Sequence, residues 1–148
     1  MIIIRIWHYK LLPYLPDAQF KGQLRELIAI MHDWRDKGTT NHLLINRVMK
    51  YPKEDLMCYF LGYWNEHSHR NNGKSPKYEI CNEFYEFCND FTRDDIFKGW
   101  HNKEYLRVCM ANLYEKHFFG VGKSRITDEE WETLCRGYKE ITGEEYVI

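Results

Sequence analysis

The segment Asp17-Ala-Gln-Phe-Lys-Gly-Gln-Leu-Arg-Glu-Leu-Ile-Ala-Ile-Met-His-Asp-Trp-Arg-Asp-Lys37 decides the fold. Phe20, Leu24, Leu27, Ile28, Met31 and Trp34 recur at three- and four-residue steps, the spacing of one face of an α-helix. Asp17, after Pro16, reads as its N-cap, and Gly38 stands where a glycine closes a helix. The apolar stripe is broken only by Gly22-Gln23 and Arg25-Glu26, so a long central helix carries a small polar constellation.

The same periodicity continues outward from this helix. A shorter helix is predicted over Asn41–Lys50, with Leu43, Leu44 and Val48 as its apolar marks. Pro52 suits the first turn of the next, which carries Leu56, Tyr59, Phe60, Tyr63 and Trp64. The polar stretch His67–Gly73, followed by Pro76, reads as a loop. Tyr78–Asp90 and Lys103–His117 each place apolar residues on one side of a helix. Thr127-Asp-Glu-Glu130 is a capping box ahead of a last helix with the stripe Trp131, Leu134, Cys135 and Tyr138. Only Ile2–Trp7 is β-like, and one short strand cannot make a sheet. The expected fold is all-α: a single compact multi-helix domain over 1–148 without internal repeats. It has five to seven helices, with an N-terminal extended segment packed on the central helix.

Composition supports a folded domain. At 148 residues, 44% apolar and 29% charged, the chain can bury a core without covalent staples. Eleven Tyr, eight Phe and five Trp against four Pro exclude a disordered or low-complexity chain. No window of about 18 uncharged apolar residues exists, so no membrane span is expected. Met1-Ile-Ile-Ile4 meets Arg5 at once, too short for a signal peptide. Five cysteines, odd in number and never spaced C-x-x-C, suit reduced thiols in a cytoplasmic protein, most of them as small core hydrophobes. The net charge of −1 hides a split of +5 over residues 1–53 and −6 over 54–148. A basic working face in the first half is one reading of that asymmetry, and a chance distribution over the surface is the other.

The first forty-six residues are where chemistry can reside. Arg5-Ile-Trp-His8 is followed by Leu15-Pro-Asp-Ala-Gln-Phe-Lys-Gly-Gln-Leu-Arg-Glu26 and by Asn41-His-Leu-Leu-Ile-Asn46. Adjacent in sequence, Arg25 and Glu26 lie about 100° apart around a helix axis. Gly22, Gln23 and Glu26 share one face, where a glycine permits close approach of another backbone. These segments resemble the pyrimidine dimer DNA glycosylase family, the endonuclease V type. The likeness is greater to a bacterial and phage subgroup that opens Arg-(Leu/Ile)-Trp-His and is also similar at Tyr51-Pro52 and Gly99-Trp-His-Asn-…-Tyr105-Leu-Arg107.

The resemblance implies a glycosylase with abasic-site lyase activity on damaged duplex DNA, using the N-terminal amine of Met1 as nucleophile. An α-amine titrates near 7.7–8.0, about two and a half units below a lysine, so a useful neutral fraction exists at neutral pH. Glu26 matches the family's catalytic glutamate. Arg5 and Arg25 match its phosphate-clamping arginines, whose planar forks suit phosphate oxygens. Gln23, His8 and His42 stand in the matched segments as further candidate DNA contacts. No cofactor, metal or obligate protein partner is implied.

Three features differ from the family pattern. Met1-Ile-Ile-Ile4 precedes Arg5 where the family's nucleophile adjoins the arginine, which sets the amine roughly 10 Å further away if extended. A further arginine beyond the glutamate is replaced by Ala29, and an aromatic, basic C-terminal segment is replaced by Gly143-Glu-Glu-Tyr-Val-Ile148. The residues also allow plainer roles: Arg25-Glu26 as a solvated pair, Arg5 and Trp7 as anchors, His8 and His42 as hydrogen-bonded structural histidines. Glu66-His67-Ser-His69 has metal-ligand residue types without a second spaced pair, and reads as a polar helix end. The alternatives to an enzyme are a non-catalytic helical DNA-binding module on the same scaffold and, fitting the acidic second half, a protein–protein adaptor.

Overall fold

A computed structural model describes residues 6–38, 47–71, 73, 82, 86 and 95–148. Among the described residues there are helices and turns and no strand. The helices are a 3-10 helix Tyr9–Tyr14, then α1 Asp17–Lys37, α2 Lys53–Arg70, α3 Lys103–Phe118, a 3-10 turn Gly122–Ser124, and α4 Asp128–Thr142. The chain clusters into two compact units, residues 1–22 with 99–148 and residues 23–98, the boundary falling within α1.

In the first unit, local chemistry fixes most helix ends. His8 caps the 3-10 helix by accepting the Lys10 N–H at 3.1 Å on Nδ1. Asn102 caps α3 by accepting from the Tyr105 N–H at 2.9 Å. At α4 the expected capping box is complete: the Glu130 N–H reaches Thr127 Oγ1 at 3.2 Å and the Thr127 N–H reaches Glu130 Oε1 at 3.0 Å. Gly143, at φ 78°, ends α4 in the left-handed conformation that favours glycine. The core gathers Trp7, Leu11, Phe20, Trp100, Leu106, Met110, Leu113, Leu134 and Tyr138. The 3-10 helix packs so closely on α4 that a Cβ at Gly137 would stand 2.4 Å from Cγ of Tyr14. Tyr14 then donates its hydroxyl to Glu140, one turn further along α4.

In the second unit α1 and α2 bury Leu24, Leu27, Ile30, Met31, Leu56, Met57, Tyr59, Phe60 and Tyr63, with Ile96 and Phe97. Phe97 adopts φ 53°, a conformation costly for a bulky side chain. Its N–H donates to the buried Asp55 carboxylate at 3.1 Å, and its ring sits edge-on to Tyr51 and Tyr59. Several details depart from expectation. α1 begins at Asp17, and the Pro16 carbonyl accepts the Phe20 N–H at 2.9 Å, so Asp17 lies in the first turn. There its charge complements the helix dipole. Ile28 is half-buried and Ile30 fully buried, so the stripe of Phe20, Leu24, Leu27 and Met31 extends on its Ile30 edge and not on its Ile28 edge. Pro52 is the N-cap of α2, one residue outside the helix. α2 continues through His67–Arg70 because Glu66 and Arg70, one turn apart, pair at 2.9 Å, so the loop starts at Asn71. Gly38, at φ 67°, closes α1 as expected, its N–H on the Trp34 carbonyl at 3.1 Å.

The N-terminal segment through Arg5, most of Asn41–Lys50 and nearly all of Tyr78–Asp90 lie outside the described residues. Arg47 and Val48, and Asn82 and Glu86, are helical within those two spans. Among the described residues no helix is long and apolar enough to cross a membrane.

Candidate functional site

The polar face of α1 carries the candidate site of the second unit. Gln23 is 1% exposed, its amide drawn into the interior because α2 offers it hydroxyl groups there. The Tyr59 hydroxyl donates to Gln23 Oε1 at 3.3 Å and lies 3.3 Å from the Tyr63 hydroxyl. Gln23 Nε2 in turn points to Glu26 Oε2 at 3.5 Å, a long contact that orients more than it binds. A buried row of Tyr63, Tyr59 and Gln23 thus ends at the half-buried carboxylate of Glu26. Arg25 is exposed on the next face, and among the described residues nothing pairs with it. The adjacent Arg25-Glu26 is therefore not a mutually neutralised ion pair.

Tyr59 and Tyr63 read from sequence as core, and they are core. What periodicity did not reveal is that their hydroxyls, which need partners once buried, converge on Gln23. A glutamine on the face of α1 opposite two tyrosines one turn apart was the available signal. Around Gly22, nothing among the described residues lies within 4 Å of the place its Cβ would occupy, so the face is open to approach.

His8 belongs to the first unit, where it is buried and integrated with a second motif. The Tyr9 N–H donates to His101 Nδ1 at 3.1 Å, the His8 and His101 rings lie 5.2 Å apart, and Tyr105 donates its hydroxyl to the Ile6 carbonyl. Ile6-Trp-His8 and Gly99-Trp-His-Asn102, ninety residues apart in sequence, thereby assemble into one aromatic cluster. Burial lowers the His8 pKa to about 4, outweighing hydrogen bonds to the backbone at His101 and Asn102 that favour the charged form. Lys10 lowers it further, and His8 is neutral at physiological pH. With Lys10, Asn102, Lys103 and Thr142 it lines a shallow pocket. Met1, Arg5 and His42 lie outside the described residues.

Glu66 is held by Arg70, so the Glu66–His69 cluster is not an assembled metal centre, and no group of three metal-ligating side chains occurs among the described residues. Burial pushes the Cys109 thiol up to about 12, which makes it a core residue and not a nucleophile.

The helical fold thus sets a supported carboxylate, Glu26, and an exposed arginine, Arg25, on neighbouring faces of α1. A family model described as pyrimidine dimer DNA glycosylase matches residues 4–80, just over half of the chain, and the chain belongs to that family. Membership implies a DNA-repair function of the pyrimidine dimer glycosylase type and a DNA substrate. No curated protein and no solved structure matches the chain.

Proposed function

We propose that the protein is a DNA glycosylase and abasic-site lyase that acts on damaged duplex DNA in the cytoplasm through an N-terminal amine, assisted by Glu26. The observation that carries this reading is the family match across the segment holding Arg5, Arg25 and Glu26, with Glu26 half-buried at the end of the Tyr63–Tyr59–Gln23 row. The neutral amine of Met1 adds to the sugar C1′, and the glycosidic bond breaks with its electron pair leaving on the base, which takes up a proton. The C1′–O4′ bond then breaks, O4′ taking its electron pair and a proton while the nitrogen lone pair forms the imine with C1′. The imine draws electrons from C2′, so loss of a C2′ proton breaks the C3′–O bond, expels the 3′ phosphate and cuts the strand. Glu26 stabilises the cationic sugar and moves these protons. Arg25 and Arg5 hold phosphates, and His42 is a further DNA contact. A base inside a duplex is reached by local kinking or extrusion of a nucleotide.

Borohydride reduction in the presence of an abasic-site duplex tests the reading. The expected result is a covalent protein–DNA adduct that peptide mapping places on the N-terminal residue. Glu26→Gln should retain DNA binding and lose strand scission by about 10²-fold or more, the usual cost of removing a general acid–base group. An adduct on a lysine would refute the nucleophile. No adduct, with the N-terminus verified by intact mass, would leave a DNA-binding module on the same scaffold.

A further inference from the structure

The exposed side of α3 has a pattern that the core does not use. Arg107, Val108, Ala111 and Glu115 stand exposed along one stripe of the helix. The stripe borders a groove whose other wall includes Val147 and Ile148, both largely exposed at 69% and 77%. Phe119, at the end of α3, is 72% exposed and closes the same groove. Apolar side chains here stand exposed together between two opposite charges, Arg107 and Glu115.

From the stripe's self-complementarity we infer that this face binds a second copy of the chain, the two α3 helices packing antiparallel about a two-fold axis at Ala111. In such a pair, residues whose numbers are symmetric about 111 face each other. Arg107 then meets Glu115 of the second copy, and Glu115 meets its Arg107. Two opposite charges and a small central residue thus satisfy an isologous interface from a single helix. Ala111 at the crossing lets the axes approach to about 8–10 Å. Val108 comes to lie against the second copy's Tyr114, and the groove beside Val147 and Ile148 receives the opposing helix. Arg107 donates to the Tyr138 hydroxyl at 3.1 Å and lies over the Tyr146 ring, contacts that hold its side chain beside the groove. No side-chain partner within the chain holds Glu115 among the described residues.

Sedimentation equilibrium of the full chain, from micromolar to submillimolar concentration, tests this. The wild type should be a concentration-dependent dimer. Arg107→Glu and Glu115→Arg should each be monomeric, since each places like charges opposite one another. An equimolar mixture of the two variants should associate again as a heterodimer, because both contacts become attractive. Ala111→Arg, at an exposed position, puts charge on the axis and should abolish association without touching the fold. It guards against an Arg107→Glu chain that fails to fold for loss of the Tyr138 contact. A wild type that stays monomeric throughout overturns the inference. So does a dimer indifferent to Ala111→Arg, or a mixture of folded variants that remains monomeric.

Discussion

At the scale of single residues, burial decides roles that residue type leaves open. His8 has its pKa lowered to about 4, chiefly because burial penalises the imidazolium. Its folded value lies below the unfolded one near 6.5, so the unfolded chain binds the extra proton first. The contribution of His8 to stability is therefore complete above about pH 6.5 and is lost as pH falls toward 4, with a limiting slope of about 1.4 kcal/mol per pH unit. Urea unfolding from pH 7.5 to 4 should show that fall, and His8→Gln should flatten it; an unchanged slope in the variant would sink the assignment. Tyr59 makes the companion case. Tyr59→Phe removes the hydroxyl that meets Gln23 Oε1 and Tyr63, and should cost about 0.5–1.5 kcal/mol of stability. Strand scission should fall with it, though less than for Glu26→Gln, since Gln23 and Glu26 lose orientation but keep their chemistry. Activity equal to wild type would separate the tyrosine row from the carboxylate.

Among the elements, two helical glycines should respond in opposite directions. Gly137 in α4 faces the Tyr14 ring, with 2.4 Å between a would-be Cβ and the ring carbon nearest the backbone. The ring cannot swing aside without leaving Glu140, so Gly137→Ala should destabilise by about 1–3 kcal/mol despite the better helix propensity of alanine. Gly22 in α1 has open space around it among the described residues, so Gly22→Ala should stabilise by about 0.5–1 kcal/mol. Paired thermal melts check both, and a loss at Gly22 would mean that another part of the chain lies against that face. The capping box of α4 gives a third reading: Thr127→Ala should cost about 0.5–2 kcal/mol, because the Glu130 N–H loses its acceptor.

For the whole molecule, the charge split matters more than the net charge. Residues 1–53 carry +5 and include both arginines assigned to phosphate, so DNA binding should weaken about ten-fold or more between roughly 50 and 200 mM salt through counterion release. Arg25→Ala should lower affinity alike on all sequences and reduce the salt slope by about one. Salt-independent binding in a filter or anisotropy assay would remove the phosphate contacts from the reading.

Sequence by itself determined the all-helical class, the extents of α1 and α3 to within a residue, and the box and stripe of α4. These follow from local rules: an apolar residue every three or four positions, a cap that satisfies orphan N–H groups, a glycine in left-handed backbone. It also singled out Glu26 and Arg25, because residue identity and spacing carry a family pattern. Tertiary structure alone decided which hydroxyls reach Gln23, that His8 is buried and neutral beside His101, and that Ile30 and not Ile28 turns fully inward. It alone decided too that Gly137 is required while Gly22 is open among the described residues. Each of these depends on side chains brought together from distant parts of the chain, as His8 meets His101 and Tyr14 meets Gly137. Burial, which sets both the pKa of His8 and the cost of a methyl group at Gly137, is a property of that packing and not of any local pattern.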